Sequence, residues 1–108
     1  MAESNLIHPV TDEEFETKTT SGLWLADFFA DWCGPCRMLV PVLEEVATEL
    51  QDKVNFIKVD VDTCQKTASK YEVTSVPTIV LVKDGKEVGR IVGLRDAAKL
   101  KEFITPHI

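Results

Sequence analysis

Two cysteines three positions apart, in the segment WCGPC at residues 32–36, are the most chemically reactive feature of the sequence. Thiols at this spacing can form a structural disulfide, supply half of a zinc site or exchange disulfides with another molecule. A structural disulfide is disfavoured, because so short a loop restricts the unfolded chain by only about 2 kcal/mol. Zinc is also disfavoured, because the other ligands would be Cys64, His8 and His107, and both histidines are near the termini. We favour redox chemistry and no metal, while the spacing alone keeps metal binding as an alternative.

The two thiols are predicted to differ in reactivity. Apolar residues recur at spacings of three and four after the motif and predict an amphipathic helix at 35–50. Cys33 would stand at the start of this helix, where unpaired backbone amides and the positive end of the helix dipole stabilise a thiolate. Cys36 would lie one turn further in and be less exposed, so that it stays protonated until needed. Pro35 favours the first helical turn and holds the two sulfurs within bonding distance.

A carboxylate interrupts the apolar run LWLADFFA at residues 23–30, which otherwise predicts a buried central strand. Burial of Asp27 would raise its pKa toward the range in which a carboxylate accepts a proton at neutral pH. The alternative is an Asp at the strand end that reaches solvent or pairs with Lys58. Lys58 itself interrupts the second apolar strand at 54–60, and its alternative is a lysine that extends to the surface.

The elements that must position these groups alternate along the chain. Thr11 and Glu14 form a capping-box pattern that opens the first helix. Asp62 or Thr63 is the predicted cap of the third helix. We predict strands at 6–8, 23–30, 54–60, 78–82 and 87–93, and helices from the Thr11 cap to about 21, at 35–50, at 63–71 and around 97–104. This order predicts an α/β fold with a mixed sheet covered by helices on both faces, and the dithiol motif would follow the C-terminal end of a parallel strand.

Length and composition limit the function classes. The 108 residues suit a single domain, 1–108, and 44% hydrophobic with 28% charged residues is typical of a soluble globular protein. A net charge of −6 argues against a nucleic-acid partner, which would require clustered Lys and Arg. No apolar run reaches the roughly 20 residues of a membrane helix, and the N-terminal segment does not resemble a secretory signal. We expect a cytoplasmic protein, with the mitochondrial matrix as the alternative if a presequence has been removed.

The segment WCGPC, with Asp27-Phe28 before it and with Thr74-Ser75-Val76-Pro77-Thr78 and Asp84-Gly85 after it, resembles the thioredoxin family over essentially the whole chain. The resemblance implies a thioredoxin fold with a central five-stranded mixed sheet flanked by four α-helices. It also implies a general protein-disulfide reductase that acts as a monomer on diverse disulfide-containing proteins. No bound cofactor is implied, because the redox-active group is the cysteine pair, and electrons would come from NADPH through thioredoxin reductase.

The same resemblance implies roles for the two cysteines and the two buried ionisable groups. Cys33 would attack a disulfide of the target protein, and Cys36 would then resolve the mixed disulfide. Asp27 would help to deprotonate Cys36. Lys58 would face Asp27 and adjust the acidity of its carboxyl group.

Residues around the cysteines would bind the substrate. Gly34 and Pro35 would form the active-site turn, and the Val76-Pro77 loop, with a cis peptide bond, would lie opposite. The resemblance implies a flat apolar rim made by Trp32, Gly34, Val76 and Gly93, next to Pro77. The alternative for each rim residue is a role in packing or turn geometry, and for Gly93 this alternative is a serious one.

The sequence departs from the family pattern at three places. Phe29 stands where many members have Trp, and Arg37 stands where Lys is common. We expect both differences to adjust the activity without abolishing it. Cys64 has no partner in the motif and is interpreted as a small residue near the surface, with a regulatory or dimer-forming thiol as the alternative.

Two rival functions stay open on the sequence. The first is a dithiol oxidase, although the Gly-Pro dipeptide between the cysteines favours a reductant. The second is a binding module in which the rim holds a partner and the cysteines are incidental.

Overall fold

The computed structural model describes residues 6–108. The strands are β1 (Ile7–Pro9), β2 (Leu23–Phe29), β3 (Asn55–Asp60), β4 (Thr78–Lys83) and β5 (Lys86–Val92). The helices are α1 (Asp12–Lys18), α2 (Gly34–Leu50), α3 (Gln65–Lys70) and α4 (Ala97–Ile104), and a 3₁₀ turn follows at Thr105–His107. The predicted α/β class, the five strands, the four α-helices and their order are confirmed.

The five strands form one mixed sheet in the order β1-β3-β2-β4-β5. Strand β3 is parallel to both β1 and β2, whereas β4 is antiparallel to β2 and to β5. The parallel pairs arise from the strand–helix–strand units, and the antiparallel β4–β5 pair arises from the hairpin at Asp84-Gly85, as the turn residues predict. Strand β2 lies in the middle of the sheet, so both of its edges are paired.

Side chains of β2 enter two separate cores because successive residues of a strand point to opposite faces. Leu23 and Leu25 pack in the core covered by α2 and α4. Ala26 and Phe28 pack in the core covered by α1 and α3. Asp27 follows the alternation of Leu25 and therefore belongs to the face that α2 covers.

The first helix begins as predicted and ends earlier. The Thr11 hydroxyl accepts a hydrogen bond from the Glu14 amide at 3.1 Å, and the Glu14 carboxylate accepts one from the Thr11 amide at 3.0 Å. The helix ends at Lys18, about three residues before the predicted end. The Thr19 hydroxyl donates to the carbonyl of Phe15 at 2.7 Å, and such local bonds compete with continuation of a helix.

The predicted cap of the third helix is wrong. Cys64 is the N-cap residue of α3, and its side chain makes no capping hydrogen bond. The carboxylate of Asp12, from the first turn of α1, instead accepts from the Thr67 amide at 2.9 Å and from the Thr67 hydroxyl at 2.6 Å. These hydrogen bonds hold the pKa of Asp12 below its usual value. The start of α3 is therefore capped from another helix, which ties α1 to α3.

Gly89 of β5 provides a test of how α4 packs on the sheet. A Cβ at this position would come within 2.9 Å of Cε1 of Phe103, closer than real Cβ contacts. We expect Gly89→Ala to lower the free energy of unfolding by about 1–3 kcal/mol, the usual cost of overpacking. Chemical denaturation of the oxidised protein measures this. Gly34→Ala is the matched control, because nothing lies within 4 Å of a Cβ there. Unchanged stability of Gly89→Ala would show that Phe103 moves aside freely.

Candidate active site

The two cysteines of the motif lie where β2 gives way to α2. Cys33 is the N-cap residue of α2, with an extended backbone, and the helix begins at Gly34. Cys33 and Cys36 form a disulfide, and their Cα atoms are 5.3 Å apart. The Cys36 backbone amide donates to Sγ of Cys33 at 3.2 Å. The sulfur of Cys33 therefore occupies the place of a capping oxygen at the helix N-terminus, where negative charge is stabilised.

Both cysteines are nearly buried in this oxidised form. The exposed fraction is 5% for Cys33 and 3% for Cys36, so the predicted difference in exposure is small. Both pack against Ala30, with Val76 nearby. Sγ of Cys33 lies 3.8 Å from the carbonyl oxygen of Val76.

The Asp27 carboxylate lies inside the protein. Its exposed fraction is 4%, and Oδ1 has no hydrogen-bond partner in the described part of the chain. Burial raises the pKa of Asp27 to about 7, with the positive charge of Lys58 acting in the opposite direction. The alternative in which Asp27 reaches solvent is therefore wrong. The group is placed to exchange a proton near neutral pH.

Lys58 is the direct neighbour of Asp27 on β3. Asp27 and Lys58 do not form an ion pair within 4.0 Å. The four ion pairs found among residues 6–108 involve other groups. Nζ of Lys58 lies 5.9 Å from the ring centroid of Phe29, within the range of a cation–π contact. The ammonium group thus influences the carboxylate through space without bonding to it.

A cavity of about 240 Å³ connects these groups with the dithiol. Its lining includes Asp27, Lys58, Phe29, Cys36 and Arg37. A water molecule occupies about 30 Å³ of liquid, so the cavity has room for several. The Asp27 carboxylate and Cys36 therefore line the same cavity.

The Val76–Pro77 loop lies against Cys33, and the turn at Gly93 is hydrogen-bonded to that loop. The Val76–Pro77 peptide bond is cis, as the resemblance implies. The Gly93 amide donates to the Pro77 carbonyl at 2.8 Å, which fixes the end of β5 beside this loop. Gly93 has φ of 97°, a conformation that favours glycine, so turn geometry accounts for this residue whether or not it binds substrate.

The surface around the disulfide is partly apolar. Trp32 is 70% exposed, and its indole Nε1 donates to Oδ2 of Asp62 at 3.1 Å. Gly34 is exposed, and Val76 is half-buried. Three further apolar side chains close to these residues along the chain are exposed: Met38, two residues after Cys36, and Val92 and Leu94, which flank Gly93. The sequence patterns did not predict their exposure. Met38 carried a signal, since it is an apolar residue outside the buried stripe of α2.

The interpretation of Cys64 as a residue near the surface is wrong. Its exposed fraction is 2%, and its thiol donates to the carbonyl of Val10 at 3.2 Å. Burial raises the pKa of the Cys64 thiol. The residue packs in the core covered by α1 and α3, so its thiol is neither exposed nor activated in this form.

No cluster of three or more His, Cys, Asp or Glu side chains among residues 6–108 could hold a metal ion. No helix in the same range combines the length and apolar character needed to cross a membrane.

The pKa of Asp27 predicts how stability depends on pH. The folded protein holds this proton more strongly than the unfolded chain does, so the free energy of unfolding falls as pH rises from about 4 to about 7. Replacing Asp27 by Asn removes this dependence. We expect Asp27→Asn to equal the parent near pH 4 and to exceed it by up to about 4 kcal/mol at pH 8. Denaturation of the oxidised proteins across this range is the measurement, and exposed Asp52→Asn is the matched control. A constant difference between pH 4 and 8 would contradict the assignment.

Comparison with known proteins agrees with this geometry. The family model described as Thioredoxin matches residues 6–106. The chain is 46% identical over 99 residues to proteins named Thioredoxin from Staphylococcus aureus strains Mu50, MW2 and N315. Each alignment covers 92% of this chain and 95% of the relative. The chain belongs to the thioredoxin family, and it is a thiol–disulfide oxidoreductase.

Proposed function

We propose that this chain is a general protein-disulfide reductase in which Cys33 is the nucleophile and Cys36 is the resolving thiol. The observation that carries this proposal is the Cys33–Cys36 disulfide at the N-terminus of α2. In the reduced protein, the same position would stabilise a Cys33 thiolate through the Cys36 amide and the helix dipole.

The first step transfers one sulfur bond. The Cys33 thiolate attacks one sulfur of a target disulfide, the target S–S bond breaks, and a mixed disulfide forms. The departing target thiolate takes a proton from solvent. The half-buried Val76 and the exposed Trp32 border Cys33, so they are placed to contact the target chain at this stage.

The second step requires a second thiolate. The thiol of Cys36 loses its proton to the Asp27 carboxylate, directly or through water in the shared cavity. The Cys36 thiolate then attacks Sγ of Cys33, the mixed disulfide breaks, and the second target thiolate leaves and takes a proton from solvent. Asp27 returns the proton of Cys36 to solvent. The target has gained two electrons and two protons, and the chain is left with the disulfide that the structure contains.

Lys58 would adjust the proton acceptor. Its positive charge favours the ionised form of Asp27, which opposes the effect of burial. Because Lys58 does not form a close ion pair with Asp27, the carboxylate keeps a pKa near neutrality.

Repeated turnover requires a reductant for the Cys33–Cys36 disulfide. Thioredoxin reductase would return electrons from NADPH to the disulfide, and the substrates would be diverse proteins with accessible disulfides. We propose that the chain acts as a monomer in the cytoplasm. Coupled oxidation of NADPH by a thioredoxin reductase in the presence of the chain and insulin tests this partner.

Single cysteine variants distinguish the two proposed roles. We expect Cys33→Ser to form no mixed disulfide with a target, because the attacking sulfur is missing. Cys36→Ser should accumulate the mixed disulfide, because the resolving sulfur is missing. Mass spectrometry after reaction with oxidised insulin detects the adduct, and Cys64→Ser should behave as the parent. An adduct with Cys33→Ser but not with Cys36→Ser would reverse the assignment.

The base role of Asp27 predicts a kinetic defect. Asp27→Asn should slow release of the target from the mixed disulfide, on the order of 100-fold, because general base catalysis is lost. The rate for the parent should rise as pH increases through about 7, where Asp27 ionises. Rapid-quench measurement of target release across pH 5–9 tests this, with Asp52→Asn as the control. Equal rates and equal pH profiles for the parent and Asp27→Asn would disprove the role.

A further inference from the structure

The guanidinium of Arg95 lies next to Gly93, in a loop that is hydrogen-bonded to the Val76–Pro77 loop. The carbonyl oxygen of Val76 is 3.8 Å from Sγ of Cys33, and the next carbonyl, that of Pro77, accepts a hydrogen bond from the Gly93 amide. Arg95 follows two residues later, in the loop that leads from β5 to α4. The loop that carries Arg95 is therefore fixed to the loop that faces the nucleophile.

The Arg95 side chain folds back over the Gly93 turn. Its Nη1 donates to the carbonyl of Leu94 at 3.0 Å. The same atom would lie 3.3 Å from a Cβ placed on Gly93, so the absence of a side chain at Gly93 gives the guanidinium this close approach. The charge is thus held near Gly93.

The positive charge of Arg95 is not neutralised within the described part of the chain. The ion pairs found there use other cations, namely Lys18, Arg90, Lys99 and Lys101. The adjacent carboxylate of Asp96 accepts from the Lys99 amide at 2.8 Å and caps α4. A guanidinium has five N–H donors, so Arg95 retains most of them for a carboxylate.

Two other cations line the cavity that Cys36 also lines. Arg37 donates through Nη1 to the carbonyl of Asp31 and lines the cavity behind the disulfide. Lys58 lines the same cavity. Arg95 is instead exposed beside Leu94, on the loop that is hydrogen-bonded to the Val76–Pro77 loop.

We propose that Arg95 is a specificity-determining residue that favours target disulfides with a carboxylate side chain near one of the bonded cysteines. The proposal rests on the proposed disulfide-reductase function and deepens it. The net charge of −6 repels acidic targets as a whole, so a positive group next to Gly93, in the loop bonded to the Val76–Pro77 loop, is the local feature that offsets this repulsion. The targets so favoured are acidic segments that contain a disulfide.

The test uses synthetic peptides with one intramolecular disulfide that differ only at one position outside the ring, which carries Glu, Gln or Lys. Two sets place this position before the first or after the second cysteine. Second-order rate constants for reduction by the pre-reduced protein are measured at low salt. We expect the parent to prefer Glu over Gln in at least one set, and Arg95→Gln to reduce this ratio about fivefold, as for one exposed charge pair.

Three further measurements make the result specific to charge at this position. Arg95→Glu should prefer the Lys peptide, and Arg95→Lys should keep part of the preference for Glu. High salt should reduce the preference of the parent, because exposed charges are screened. Lys86→Gln, at the far end of β5 and also exposed, removes the same charge and should leave the ratio unchanged.

Two results would overturn the inference. One is an equal effect of Arg95→Gln on the Glu and Gln peptides in both sets, and the other is an equal change of the ratio in Lys86→Gln. Failure of the parent to reduce the Gln peptide would instead contradict the proposed reductase function. The two failures are therefore distinguishable.

Discussion

Strand β2 is paired along both edges, and this double pairing determines where each group of the dithiol site lies. Its register with β3 puts Lys58 beside Asp27. Its register with β4 puts Thr78, which follows cis Pro77, opposite the end of β2, close to where Cys33 begins the next helix. A shift by one residue would move Asp27 to the other face of the sheet, away from the cavity. The site is thus specified by strand pairing rather than by a flexible loop.

Because β2 is central in the sheet, burial of the Asp27 carboxylate there lowers the stability of the fold. A buried acid without full hydrogen bonding destabilises the fold, and Oδ1 of Asp27 has no partner among residues 6–108. A close ion pair with Lys58 would relieve part of this cost, but it would also lower the pKa of Asp27 and weaken its capacity to accept a proton at neutral pH. The observed arrangement, with the ammonium near the Phe29 ring, keeps the carboxylate near neutrality. Under the proposed mechanism, Asp27 lowers the stability of the fold and serves as the proton acceptor.

Local sequence patterns predicted the features that depend on neighbouring residues. The Thr11 capping box, the apolar strand around Asp27 and the hairpin turn at Asp84-Gly85 each follow from backbone preferences or from alternation over a few positions. Cys33 at the N-terminus of α2 follows equally, because the apolar periodicity starts just after it. These signals sufficed for the order of elements and the location of the dithiol.

Residue patterns did not predict the features that depend on contacts between distant segments. The cap of α3 comes from Asp12, which is 55 residues away from Thr67 along the chain. The burial of Cys64 results from packing against the segment around Val10, which its own neighbours do not indicate. Family resemblance, rather than residue patterns, supplied the roles of Asp27 and Lys58, because cross-strand register is not encoded in either strand alone.

The sequence predicted that Cys36 would be less exposed than Cys33, but the structure distinguishes the two sulfurs in another way. Their exposed fractions are almost equal, so access alone cannot assign the roles. What differs is the surroundings of each sulfur. Sγ of Cys33 accepts the Cys36 amide and lies near the carbonyl of Val76, at the surface where a target chain would approach. Cys36 lines the cavity that contains the Asp27 carboxylate. One sulfur is therefore adjacent to the proposed substrate surface and the other to the proposed proton acceptor, which is the division that attack followed by resolution requires.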